Sequence, residues 1–142
     1  MTHIAIDPGL ERTGVAIHRG AEVECLTLTP WGSVKYVDNY LFNYASQVRA
    51  VIVERWAIHA GVNATMGREL IEAKTIGAIE WLCGLRKVMY VEQQPSTLRP
   101  AGALMRFWEI KPVATNRDEA SAEKHLWYYM LKDRDPNEKI GE

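Results

Sequence analysis

Three acidic residues stand where a folded chain can bring distant carboxylates together. Asp7 closes the apolar run Ile4-Ala5-Ile6 and precedes Pro8-Gly9, Glu54 closes Val51-Ile52-Val53, and Asp118 opens a stretch of helical periodicity. Two strand ends and a helix start can meet at one sheet edge. An oxygen-rich cluster there, with no thiols and no imidazole pair, suits a hard cation such as Mg²⁺ or Mn²⁺. Two such ions about 4 Å apart can stabilise both the attacking and the leaving oxygen of an in-line phosphoryl displacement. Each acid alone also has a structural reading. Asp7 suits a turn acid before Pro-Gly, Glu54 a surface acid, and Asp118 a helix cap or a partner of the helix dipole. The chemistry rests on all three together, in this order.

The elements that would carry these acids follow from periodicity and turn residues. His3 to Asp7 is predicted as a short buried strand and Thr13 to His18 as a second. Arg19-Gly20 reads as a hairpin turn, and Glu22 to Thr29 as a third, antiparallel strand. Pro30 to Ser33 reads as a turn, with Ser33 capping a helix over Val34–Ser46, where Val37, Tyr40, Leu41 and Tyr44 recur at helical spacing. Ala50 to Glu54 is β-branched and apolar, as a central strand should be. A long helix is predicted from a cap at Asn63 or Thr65 to about Leu85, then a strand from Val88 to Val91. A short helix around Ala103 to Trp108 and a final helix from about Asp118 to Lys132 complete the set. A three-strand meander followed by alternating helix and strand implies an α/β fold, a mixed five-stranded sheet flanked by helices. The domain is set at residues 1–132, with 133–142 as a C-terminal tail.

A chain of 142 residues suffices for one domain with its own core. Cys25 and Cys83 provide neither a disulfide framework nor metal-ligand spacing, so a reduced, cytoplasmic setting is expected. The start is strand-like, so no secretory leader is expected. No apolar run nears the roughly 20 residues that span a bilayer, so no membrane partner is expected. The formal net charge of −1 argues weakly against nucleic acid. Locally the balance differs: between Pro95 and Arg117 stand Arg99, Arg106, Lys111 and Arg117 against Glu109 alone.

Taken in order, these motifs resemble the RuvC-type Holliday-junction resolvases, members of the ribonuclease H-like superfamily. Ile4-Ala5-Ile6-Asp7-Pro8-Gly9 with Thr13-Gly14 resembles the family's opening Ile-Asp-Pro-Gly and following Thr-Gly. Val53-Glu54 resembles its second acidic strand end, and Asn63-Ala64 with Leu70-Ile71-Glu72-Ala73-Lys74 its long helix. Val91 to Gly102 resembles the strand and glycine-ended segment that follow, and Asp118-Glu119-Ala120-Ser121-Ala122 its final helix. The likeness runs from His3 to about Leu131. It implies a ribonuclease H-like fold and a homodimer acting on branched DNA, four-way junctions above all, in recombination and repair. It also implies Mg²⁺- or Mn²⁺-dependent hydrolysis, with two ions per site held by Asp7, Glu54 and Asp118.

Three departures bear on that implication. Ser121 stands where the family has a fourth acid, and His125, two turns along from Asp118 on much the same face, can take its part or simply be a helix histidine. The segment from Gly102 to Asp118 is short, which is similar to compact virus-encoded relatives and would place the protein in a host cytoplasm. Trp56 lies one residue early for the family's aromatic wedge, so it either stacks on an unpaired base or is a core or interface tryptophan. Arg12, Arg55, Lys74 and Arg99 are the candidate phosphate contacts. Small residues Ala73, Gly77 and Ala78 on the long helix admit a second helix or pack on the sheet. The Asp-x-Gly opening also occurs in sugar-kinase and actin-like ATPases, but the second such loop they require is missing. A less selective flap or branched-DNA nuclease, and a non-catalytic nucleic-acid-binding relative, remain the competing functions.

Overall fold

In a computed structural model, which describes residues 1–55 and 66–140, five strands form one mixed sheet in the order β3-β2-β1-β4-β5. β1 (Thr2–Asp7), β2 (Thr13–Arg19) and β3 (Glu22–Leu28) make the antiparallel meander, while β4 (Val48–Glu54) and β5 (Met89–Gln93) run parallel to β1. The helices are α1 (Pro30–Tyr44), α2 (Met66–Arg86), α3 (Leu98–Phe107), α4 (Arg117–Leu131) and a short α5 (Asn137–Ile140) within the predicted tail. The expected five-stranded α/β architecture is present.

β1 and β4 are central and covered on both faces, which explains why they read as apolar runs and not as alternations. The two faces are built differently. Ile4, Ile6, Val15, Ile17, Val51 and Val53 form one core with Val37 and Leu41 of α1 and Ile79 and Leu82 of α2. On the other face Ala5, Ala16 and Ala50 accompany Ile52 beneath Ala122 and Leu126 of α4. Alanines in place of branched residues let that helix lie close against the sheet.

Several boundaries differ from the periodicity reading, each for a local reason. α1 begins at Pro30, where a residue without an N–H costs nothing. Its cap is Thr29, whose Oγ1 accepts from the Gly32 amide at 3.0 Å. Ser33 is instead buried and donates back to the Pro30 carbonyl at 2.6 Å. α3 starts at Leu98, since Pro100 is tolerated in a first turn. β5 continues through Gln93. α4 is capped by Asn116, whose Oδ1 accepts from the Glu119 amide at 2.9 Å, so Asp118 is not the capping residue. Asn63 and Thr65, the predicted caps of the long helix, lie outside the described residues.

Two buried acids on α4 fasten the segment before it. Glu123 accepts from the amides of Val113 and Ala114, each at 2.9 Å. Glu119 accepts from the Thr27 hydroxyl at 2.6 Å and from the Thr115 amide at 3.2 Å. These bonds, Thr27 first, hold the Glu119 carboxyl below its ordinary range. Buried carboxylates with this many donors are satisfied groups, and they fix where α4 begins.

That starting point is also set by Gly14. A Cβ on Gly14 would lie 2.0 Å from the carbonyl oxygen of Asp118 and 2.9 Å from the Glu119 nitrogen. The first turn of α4 therefore rests directly on β2, and only glycine admits it. Gly14→Ala should destabilise the fold by about 1–3 kcal/mol through overpacking, read as a lower urea midpoint. An unchanged midpoint would show that the helix can shift at no cost.

Candidate functional site

The register of the central strands decides which acids meet. Ile6 pairs with Val53 across the parallel β1–β4 ladder, so the next residues, Asp7 and Glu54, emerge side by side at the carboxyl edge of the sheet. Their carboxyl groups adjoin, and a hydrogen bond between two carboxyl groups needs a proton on one of them. Burial first, then the bond to Glu54 and its charge, raise the Asp7 carboxyl from its ordinary value to about 9. The Ser121 hydroxyl of α4 also bonds to Asp7 and opposes that rise, as does His125. Ser121, at the fourth-acid position, thus lies on the Asp7 side of the edge.

His125 is fully buried under the same edge. Its Nδ1 lies 2.7 Å from Oε1 of Gln93 and its Nε2 faces Oε2 of Glu54 at 3.6 Å. Burial lowers its pKa to about 4, only partly offset by Asp7, so the ring is neutral at physiological pH. Gln93 was missed as a site residue by the sequence reading, which ended its strand at Val91. Extending the two-residue alternation one step would have put Gln93 on the face of Val91, and Gln93 pairs with Glu54 in the ladder.

Asp118 reaches the same edge through its backbone contact with Gly14, the residue paired with Asp7 in the β1–β2 ladder. Its carboxylate turns toward Arg12, with Oδ2 at 3.7 Å from Nε. The structure thus brings Asp7, Glu54 and His125 together and directs Asp118 to Arg12. Among the described residues, no group of three or more His, Cys, Asp or Glu side chains is placed to hold a metal ion as it stands.

The candidate DNA contacts are distributed along this edge. Arg12 lies in the loop after β1, Arg55 follows β4, and Arg99 opens α3 after β5. All three are exposed and follow the carboxyl ends of parallel strands, where open α/β sheets place their ligands. The Arg55 amide donates to the Gln93 carbonyl at 2.6 Å. Lys74 is exposed well inside α2, farther from the edge. Trp56 lies outside the described residues.

No protein-family model matches the sequence, and no curated protein does. Solved structures do match. RuvC of Thermus thermophilus in complex with a Holliday junction substrate is 13% identical, covering 92% of this chain and 96% of its own, with a TM-score of 0.62. A second structure of Thermus thermophilus RuvC is 15% identical over 93% of this chain and 97% of that one, at 0.57. The yeast mitochondrial Holliday junction resolvase is 11% identical over 99% of this chain and 84% of that one, at 0.55. What is shared at these identities is the fold, a ribonuclease H-like α/β arrangement resembling RuvC over nearly the whole chain.

The Asp7–Glu54 pair makes a prediction about stability without metal. Because the folded Asp7 carboxyl holds its proton to about pH 9 while the unfolded one releases it near 3.8, the folded state binds more protons between those values. Stability is therefore lost as pH rises through that window. Asp7→Asn removes the titration, so in chelator it should be more stable than the parent, by more than about 1 kcal/mol at pH 8, with the gain shrinking toward pH 4. Denaturation curves at pH 5 and pH 8 test this, and a gain independent of pH would contradict the shared-proton geometry.

Proposed function

We propose that the protein is a structure-selective DNA endonuclease that resolves four-way junctions by metal-dependent phosphodiester hydrolysis. The observation that carries the reading is the Asp7–Glu54 pair held at the carboxyl edge of a RuvC-like sheet, in a fold whose Thermus thermophilus counterpart binds a Holliday junction. The donor types suit a hard divalent cation once Asp118 turns from Arg12: two adjoining carboxylates, a third at the same edge, and the buried, unpartnered Nε2 of His125. Asp7, Glu54 and Asp118 would hold it, one or two ions of Mg²⁺ or Mn²⁺ per site. When bound, the metal supplies a hydroxide-like water and neutralises charge developing on the phosphate. The chain's own part is to orient and exclude. The strand ends fix Asp7 and Glu54, the close-lying α4 brings Asp118 across Gly14, and Arg12, Arg55 and Arg99 supply phosphate contacts. The proton of the pair would be displaced to solvent by a cation held there. Arg12, which neutralises Asp118, is then free to turn to a phosphate.

A second copy of the chain is the expected partner, since symmetric resolution requires two sites on one junction. The support lies on α2, where Trp81 and Leu85 are 66% and 54% exposed, one turn apart. Gly77 and Gly84 lie on the same exposed stretch, with nothing within 4 Å of a built Cβ. Exposed apolar side chains flanking small residues form a surface suited to helix–helix contact. No helix among the described residues is long and apolar enough to cross a membrane. The site of action we assign is the cytoplasm, that of a host cell if the protein is virus-encoded.

The first test offers purified protein four-way, three-way, flap and linear DNA with Mg²⁺ or Mn²⁺. Four-way junctions should be cut preferentially, and Asp7→Asn should lose cutting by more than about 100-fold, the scale of a lost electrostatic contribution to catalysis, while still shifting junctions in a gel. Equal cutting of every branched form would leave a less selective nuclease, and binding without cutting under either metal would leave a non-catalytic relative. The second test is sedimentation. The parent should run as a dimer and Trp81→Glu as a folded monomer with impaired paired incision. A monomeric parent would remove the dimer from the proposal.

A further inference from the structure

The two ring nitrogens of His125 face different surroundings. Nδ1 lies 2.7 Å from Oε1 of Gln93. A carbonyl oxygen can only accept, so with this orientation the ring proton is on Nδ1 and Nε2 keeps its lone pair. Nε2 is buried and has no hydrogen-bond partner among the described residues. It faces Glu54 Oε2 at 3.6 Å. Two acceptors confronting each other repel, and the buried His125 nitrogen left unpartnered is costly. A cation between them relieves both. Metal-binding histidines have this organisation: one nitrogen donates to a fixed oxygen acceptor, which sets tautomer and ring orientation, and the other takes the metal.

We propose that His125 Nε2 is a metal ligand of this site, sharing an ion with Glu54 in place of a fourth carboxylate, and that Gln93 is the positioning residue that fixes its tautomer. The proposal deepens the metal-dependent nuclease reading and rests on it. Ser121, at the position where an acid would otherwise serve, carries no carboxylate, and on the next turn His125 aims its unpartnered Nε2 at Glu54. The chemical consequence is selectivity. Mg²⁺ prefers oxygen ligands and keeps its waters, whereas a mixed nitrogen and carboxylate set binds Mn²⁺ more tightly.

Pulsed electron paramagnetic resonance on the Mn²⁺-loaded full chain reads the bond directly. The bound ion should show nitrogen coupling from a ligated imidazole, lost in His125→Ala and kept in Asp118→Asn. Calorimetry should give a Mn²⁺ affinity reduced by at least about tenfold in His125→Ala, with a smaller change for Mg²⁺. Gln93→Leu, which retains the ring but removes its acceptor, should weaken Mn²⁺ in the same direction. Failure to bind Mn²⁺, or bound Mn²⁺ without nitrogen coupling in the parent protein, overturns the proposal whatever the variants do. So does coupling that survives in His125→Ala. These signals are read without DNA or turnover, so nitrogen coupling in a protein that leaves junctions intact sinks the resolvase reading alone. Junction cleavage with an all-oxygen Mn²⁺ site sinks this proposal alone.

Discussion

The parallel pairing of β1 with β4 forces two carboxyl groups into contact at the edge of the sheet. Backbone hydrogen bonds and the packed branched residues beneath Asp7 and Glu54 fix the strands, so the acids cannot separate to relieve their repulsion. Like charges at such range do not both ionise, and a proton is retained between them. The strands packed beneath the pair offset what holding it costs.

The rest of the molecule is organised to bring α4 onto that edge. Alanines on one sheet face, and glycine at the point of closest approach, lower the helix until Ser121 and His125 reach Asp7 and Glu54. Glu119 and Glu123 tie the preceding segment to the helix and to β3 through buried hydrogen bonds. Their helical spacing alone does not reveal this role, yet they are what makes the start of α4 a fixed point. An acid in a helix can serve as ligand, cap or strap, and which of these it becomes depends on the donors that other segments present.

The strands were legible because their signals are local. Apolar runs ending in an acid, a Gly-centred hairpin and the Thr13-Gly14 pair specify β1 to β4 without reference to anything distant. Boundaries were less legible where a short-range competitor decided them. Thr29 and Pro30 start α1 ahead of its periodic residues, and Asn116 takes the cap that Asp118 appeared suited to fill. That replacement frees the Asp118 carboxylate, which turns to Arg12.

The sequence by itself determined the fold class and the placing of Asp7 and Glu54 at the ends of apolar strands, because strand character and strand-end position are written in neighbouring residues. Only the tertiary structure decided the surroundings of that pair. Gln93 arrives from β5, and Ser121 and His125 from α4, brought together by sheet register and by the depth at which a helix can settle on alanine and glycine. Contacts between residues far apart in the chain depend on packing distance and register, which local composition does not encode.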